Sequence, residues 1–140
     1  MNGEKVSRNF WRHEFACKCG CGFDAVDVEL LTVLEETRLY FQARYIGENV
    51  KIEITSGCRC AAHNRAEGGV PGSMHIRGKA TDFKVWIAWQ VKQVPADEVA
   101  EYLERTYPDR FGIGRYDNRT HVDVRQARAR WDKRTGHHGV

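Results

Sequence analysis

The stretch Ser73-Met74-His75-Ile76-Arg77-Gly78-Lys79-Ala80-Thr81-Asp82 decides how this chain reads. It sets an imidazole and a carboxylate seven positions apart, with Gly78 between them to let the backbone turn, and leads into the β-prone Phe83-Lys84-Val85-Trp86. A loop that runs into a strand can offer a metal two ligands from one segment. A catalytic zinc site takes three protein ligands and keeps one position open, so a third must come from elsewhere. Thr120-His121-Val122-Asp123-Val124 is the obvious supplier, because its alternation predicts a strand with His121 and Asp123 on one face.

Working outward, Val50-Lys51-Ile52-Glu53-Ile54-Thr55 alternates strictly and reads as a half-buried strand, and Ala80 to Val85 as another. Leu30, Leu31, Leu34, Phe41 and Tyr45 recur near helical spacing, with Asp27 placed to cap the first turn and Gly47 to stop the helix after Tyr45. Pro95 suits the first position of a second helix whose apolar face is Val99, Tyr102, Leu103 and Tyr107, and Pro108 ends it. Gly112 to Tyr116 and Thr120 to Arg125 read as a hairpin turning at Asp117-Asn118. From Ser56 to Ser73 the breakers Gly68, Gly69, Pro71 and Gly72 leave a long loop with a turn of helix near Ala61 to Arg65. The fold class is α+β, a small, mostly antiparallel sheet with helices packed to one side. We expect one domain over 1–140, with residues 1–9 and 126–140 as loosely ordered ends.

A chain of 140 residues buries a core without disulfide staples. No apolar run approaches the roughly 20 residues of a membrane span, so no membrane insertion is expected. Met1-Asn2-Gly3-Glu4-Lys5 lacks the apolar core of a secretory signal, so cytoplasmic synthesis is expected. The net charge of +3 owes much to Arg125, Arg128, Arg130, Lys133 and Arg134. Phosphate contact needs a shaped surface as well as charge, so this tail reads as solvated and no specific nucleic acid is expected. The expected state is a monomer.

Five cysteines fall in two groups, Cys17-Lys18-Cys19-Gly20-Cys21 and Cys58-Arg59-Cys60. An odd count without a secretory signal argues against a complete disulfide framework. Reduced thiols packed as small hydrophobes, one or two bridges between the groups, and a structural zinc site all remain open. The single-residue spacing departs from the usual zinc-finger pattern, which puts structural metal last of the three.

Ser-x-His-x-x-Gly-x-Ala-x-Asp at 73–82, followed by His-x-Asp at 121–123, resembles the zinc peptidases of bacterial cell-wall metabolism. These include D-Ala-D-Ala carboxypeptidases and the L-Ala-D-Glu endopeptidases of phage endolysins, with the hedgehog signalling domain as a structural relative. The likeness extends from Asn9-Phe10 and Glu14-Phe15-Ala16-Cys17, through Ser56-Gly57-Cys58-Arg59 and His63-Asn64, to Arg125. It implies a zinc-dependent peptidase acting on the peptide stem of peptidoglycan, with His75, Asp82 and His121 holding Zn2+. A phage-type lysin, released through a pore or carried in a virion, fits the absent signal; a non-catalytic zinc module of the same fold is the alternative.

Arg59 matches the family arginine that holds substrate or steadies an oxyanion, and Ser73 matches a position near the metal. His63 and Asn64 read as loop-shaping residues, and His137 and His138 as part of a frayed tail. Trp86 and Trp89 are candidates for lining the cleft. The general base departs from the pattern: relatives place an acid three residues before the last ligand or a histidine two before it, where this chain has Asn118 and Arg119. Asp123 is the first choice for the base, being on the strand face of His121. Its other reading is a partner that orients a ligand imidazole, and Asp117 is the remaining acid.

Overall fold

A computed structural model of the chain describes residues 3–136. His137 and His138 lie outside the described residues. A short arm of β1 (Lys5–Ser7) and β2 (Phe10–Trp11) leads to α1 (Val28–Arg44), β3 (Val50–Ser56) and α2 (Ala61–Ala66). Then follow β4 (Ala80–Ile87), β5 (Lys92–Gln93), α3 (Ala96–Thr106), β6 (Gly112–Arg115), β7 (Thr120–Asp123) and β8 (Ala129–Asp132).

The main sheet has the order β3-β4-β7-β6-β8, with β5 beside β4. The architecture is α+β as expected. The pairings β3–β4, β4–β5, β4–β7 and β6–β7 are antiparallel, but β6–β8 is parallel, so the sheet is mixed. That last strand falls where the sequence suggests a loose end. Its four residues are too short a run to read as a strand in a basic tail, and it is held by register with β6 and by Arg130, which donates to the carbonyls of Tyr107, Arg110 and Phe111.

One face of the sheet makes the core. Val50, Ile52 and Ile54 of β3 lie opposite Ile87, Val85 and Phe83 of β4, and α1 and α3 pack their apolar faces, including Leu34, Phe41, Val99 and Leu103, into the same buried cluster. Each large side chain taken fully from water there contributes on the order of 2 kcal/mol. Asp27 caps α1 by accepting from the Glu29 amide at 2.8 Å. Pro95 stands as the cap of α3, one place before the first helical residue.

The start of the chain is better anchored than its composition suggests. Glu35 of α1 accepts from Ser7 Oγ (2.6 Å) and from the backbone and side-chain amides of Asn9 (2.7 and 2.6 Å). Phe10 and Phe15 then enter the core. No helix among the described residues is long and apolar enough to cross a membrane.

Candidate metal centre

The other face of the sheet builds the site, and strand register places its parts. Asp82 of β4 is opposite His121 of β7, His121 is opposite Gly114 of β6, and Gly114 is opposite Trp131 of β8. Directly opposed residues share a face, so these four form one row across four strands. Gly114 has to be a glycine: a Cβ there would stand 2.3 Å from Trp131 Nε1. One pair along, a Cβ on Gly112 would stand 2.3 Å from the Asp123 carboxylate. Bare backbone at both positions lets the indole and the carboxylate lie against the floor of the site.

His75 is delivered from above by a 3-10 turn over Met74–Arg77, which Gly78 ends in a left-handed conformation. Ser73 Oγ accepts from the His75 amide at 3.1 Å and fixes the start of that turn. The ligand atoms of His75, Asp82 and His121 all lie within 4.8 Å of one another, and all three residues are buried.

The partners of the two imidazoles set their tautomers. His75 Nδ1 is 2.7 Å from the Gly57 carbonyl; a carbonyl only accepts, so Nδ1 carries the proton and Nε2 turns a lone pair toward Asp82 Oδ1, 3.6 Å away. His121 has a carboxylate oxygen at each ring nitrogen, Asp123 Oδ2 2.7 Å from Nε2 and Asp82 Oδ1 3.0 Å from Nδ1; with its proton on Nε2, toward the closer carboxylate, Nδ1 offers a lone pair to a metal. Acceptors converging at such distances repel unless a cation or an added proton lies between them. Burial pushes the His121 imidazole down, but Asp123 and Asp82 outweigh it and raise its proton affinity. Burial likewise opposes ionisation of Asp82, and the two imidazoles outweigh it and hold the carboxyl well below its ordinary range. Two imidazole nitrogens and one carboxylate around such a point fit a Zn2+ ion.

Asp123 lies at the far edge of the His121 ring from Asp82. It is fully buried and also accepts from Arg125 Nε (2.7 Å), Arg125 Nη2 (2.8 Å) and the Gly112 amide (3.2 Å). Burial works against its charge, yet His121 and Arg125 hold its carboxyl well below the usual range. Asp117 is not brought to this site: it accepts from Thr135 and lines a separate pocket with Pro95, Asp97 and Arg134. Arg59 does reach it, with Nη2 3.5 Å from Asp82 Oδ2, Nε donating to Ser56 Oγ and Nη1 to Asn64 Oδ1. Asn64 in turn donates to the Val70 carbonyl at 2.8 Å, shaping the loop.

These groups open into a cleft of about 420 Å³ whose wall includes Arg59, Glu67, Arg119, Tyr116, Trp131 and Lys133. Among the described residues, Glu67 and Asp82 are the carboxylates of that wall. Sequence reading missed Glu67, which follows α2 in a Gly-rich loop without periodicity, and Trp131, which lies in the tail. Its aromatic candidates are elsewhere: Trp86 donates to Glu53, and Trp89 is exposed. Trp131 instead packs on His121 with ring centres 4.8 Å apart and donates to Tyr116 Oη at 3.0 Å. Arg119 lies over the Tyr116 ring, 3.9 Å from its centre.

A family model described as Peptidase M15 matches residues 8–123. The chain belongs to the M15 peptidases. The M15 match takes in all three converging groups and stops at Asp123, short of the strand that carries Trp131. No curated protein and no solved structure gives a significant match. M15 peptidases are zinc-dependent metallopeptidases, in keeping with the donor set on the cleft floor.

Proposed function

We propose that this M15 peptidase cleaves the peptide stem of peptidoglycan, with His75 Nε2, Asp82 and His121 Nδ1 as its zinc ligands. The observation that carries the reading is the convergence of three acceptor groups on the floor of an open cleft. A zinc ion held by these three groups would supply Lewis acidity toward a scissile carbonyl and an attacking water.

The chain's own residues do the rest. Asp123 is a positioning residue: its bond to Nε2 fixes the His121 tautomer, and its engagement with Arg125 leaves it no role in accepting a proton from water. Glu67 is the candidate proton acceptor, because Asp82 is committed to the ligand set and no other carboxylate among the described residues lines the cleft. Arg59, braced by Ser56 and Asn64, points its fork at the reacting region and suits a substrate carboxylate or a developing oxyanion. Arg119, Arg125 and Lys133 add positive charge to the wall against Glu67 and Asp82. A cationic cleft favours an acidic peptide, and peptidoglycan stems carry free carboxylates.

Purified peptidoglycan digested with the zinc-loaded protein, with and without a chelator, is the direct test, read by mass spectrometry of the soluble muropeptides. New stem-peptide ends that vanish with chelator and fall about 100-fold in Glu67→Gln are expected. Full zinc occupancy with no bond broken would leave a binding module of the same fold instead.

A further inference from the structure

Outside the cleft, a second set of metal-binding side chains comes together. The sulfurs of Cys17, Cys19, Cys21 and Cys60 all lie within 4.8 Å of one another. Cys17 is buried, Cys60 half-buried, and Cys19 and Cys21 exposed; none lines the cleft. Cys58 stands apart, its Sγ donating to the Phe23 carbonyl at 3.1 Å.

The spacing of the sulfurs is informative. Cys17 and Cys19 are 3.4 Å apart and Cys19 and Cys60 3.7 Å. A tetrahedron with a zinc ion about 2.3 Å from each sulfur has edges of about 3.8 Å. Two backbone amides also point at sulfur, Cys60 N at Cys17 Sγ and His63 N at Cys60 Sγ, each 3.4 Å away. Such donors favour thiolate over thiol and orient metal ligands.

We propose that Cys17, Cys19, Cys21 and Cys60 bind a second zinc ion, in a closed structural site that ties the N-terminal segment to the loop carrying Arg59. Four thiolates form a soft, complete tetrahedral set with no corner for substrate, which is the pattern of structural rather than catalytic zinc. The unusual one-residue spacing works because the segment turns back on itself: Gly20 has φ +83° and its amide bonds the Cys17 carbonyl at 3.1 Å. The loop on the far side is short of regular structure and gains a fixed post. Arg59 lies directly before Cys60, and its amide donates to the His75 carbonyl at 3.0 Å, so the ion would brace both a cleft arginine and the turn that presents His75.

The test counts metal on the full chain, purified with zinc under reducing conditions. Two zinc ions per chain are expected, falling to one in Cys19→Ser/Cys21→Ser and to one in His75→Ala/His121→Ala, and staying at two in the Cys58→Ser control. Cobalt substituted into the histidine variant should show thiolate-to-cobalt charge transfer with intense tetrahedral d–d bands, a readout independent of peptidase activity and of how well the cysteine variant folds. One zinc per wild-type chain, lost on removing His75 and His121, would overturn the proposal. So would a disulfide among the four in the metal-loaded protein, or a coloured iron centre taking the place of zinc.

Discussion

The two metal-binding clusters are built in opposite ways. The histidine and carboxylate groups are set largely by the sheet: the β4–β7 register fixes Asp82 and His121, and only His75 comes from a loop. The four sulfurs come from one loop and the start of a short helix, with no strand pairing between them. Backbone hydrogen bonds therefore hold the first cluster in place whether or not a metal is bound. In the second cluster, the ion we propose would itself tie the two segments together. The donors differ to match, three mixed ligands beside an open cleft in one case and four soft ligands with no opening in the other.

That contrast is broken most severely at His121. His121→Ala should cost at least about 10³-fold in kcat/KM and one zinc per chain while leaving the thermal midpoint within a few degrees. Cys60→Ser should do the reverse, lowering stability by about 3 kcal/mol, a fall in Tm on the order of 10 °C for a chain of this length, with a smaller loss of activity. Equal damage to activity and stability from both variants would remove the distinction.

Asp123→Asn sharpens the comparison within the first cluster. It keeps the shape but loses the charge behind His121, so zinc affinity should fall about 10-fold to 100-fold in a competition titration. Gly114→Ala should cost about 1 to 3 kcal/mol in denaturant unfolding and reduce quenching of Trp131, because the added methyl meets the indole.

The smallest effect concerns the arm that leads to the cysteines. Burial opposes ionisation of Glu35, but Asn9 and Ser7 outweigh it and lower its pKa. Its folded-state value lies below the unfolded one, so its contribution is present above the ordinary carboxylate range and is lost as pH falls through the folded value. The Tm difference between wild type and Glu35→Gln should therefore shrink as pH drops below about 4.

Much of the first cluster could be read from the sequence because it follows periodicity. The alternation at 120–124 put His121 and Asp123 on one face, and the Gly between His75 and Asp82 marked the turn, as the geometry now shows. The helix from Asp27, the strand from Val50 and the helix after Pro95 were legible for the same reason, a local pattern that agrees with the tertiary environment. What periodicity could not show was contact between distant irregular segments. Glu67 reaches the cleft from a glycine-rich loop, Cys60 joins three cysteines from a separate loop, and β8 is paired in parallel through a connection that gives no hairpin signal. Asp123 illustrates a further limit: alternation gave its face, but not its contacts with the His121 ring and the Arg125 guanidinium, on which the proposed orienting role rests.

The parallel edge strand has a practical consequence. A truncation ending at Val124 would keep every histidine and acid that converges on the floor, and it would cover the whole span recognised by the family model. It would nevertheless remove the indole that roofs His121, Lys133 on the wall, and the guanidinium that pins the carbonyls of Tyr107, Arg110 and Phe111. Such a shortened protein would keep the converging groups and one wall of the cleft while losing Arg125, Trp131 and Lys133 from the other, so boundaries drawn from family likeness alone would cut into the site.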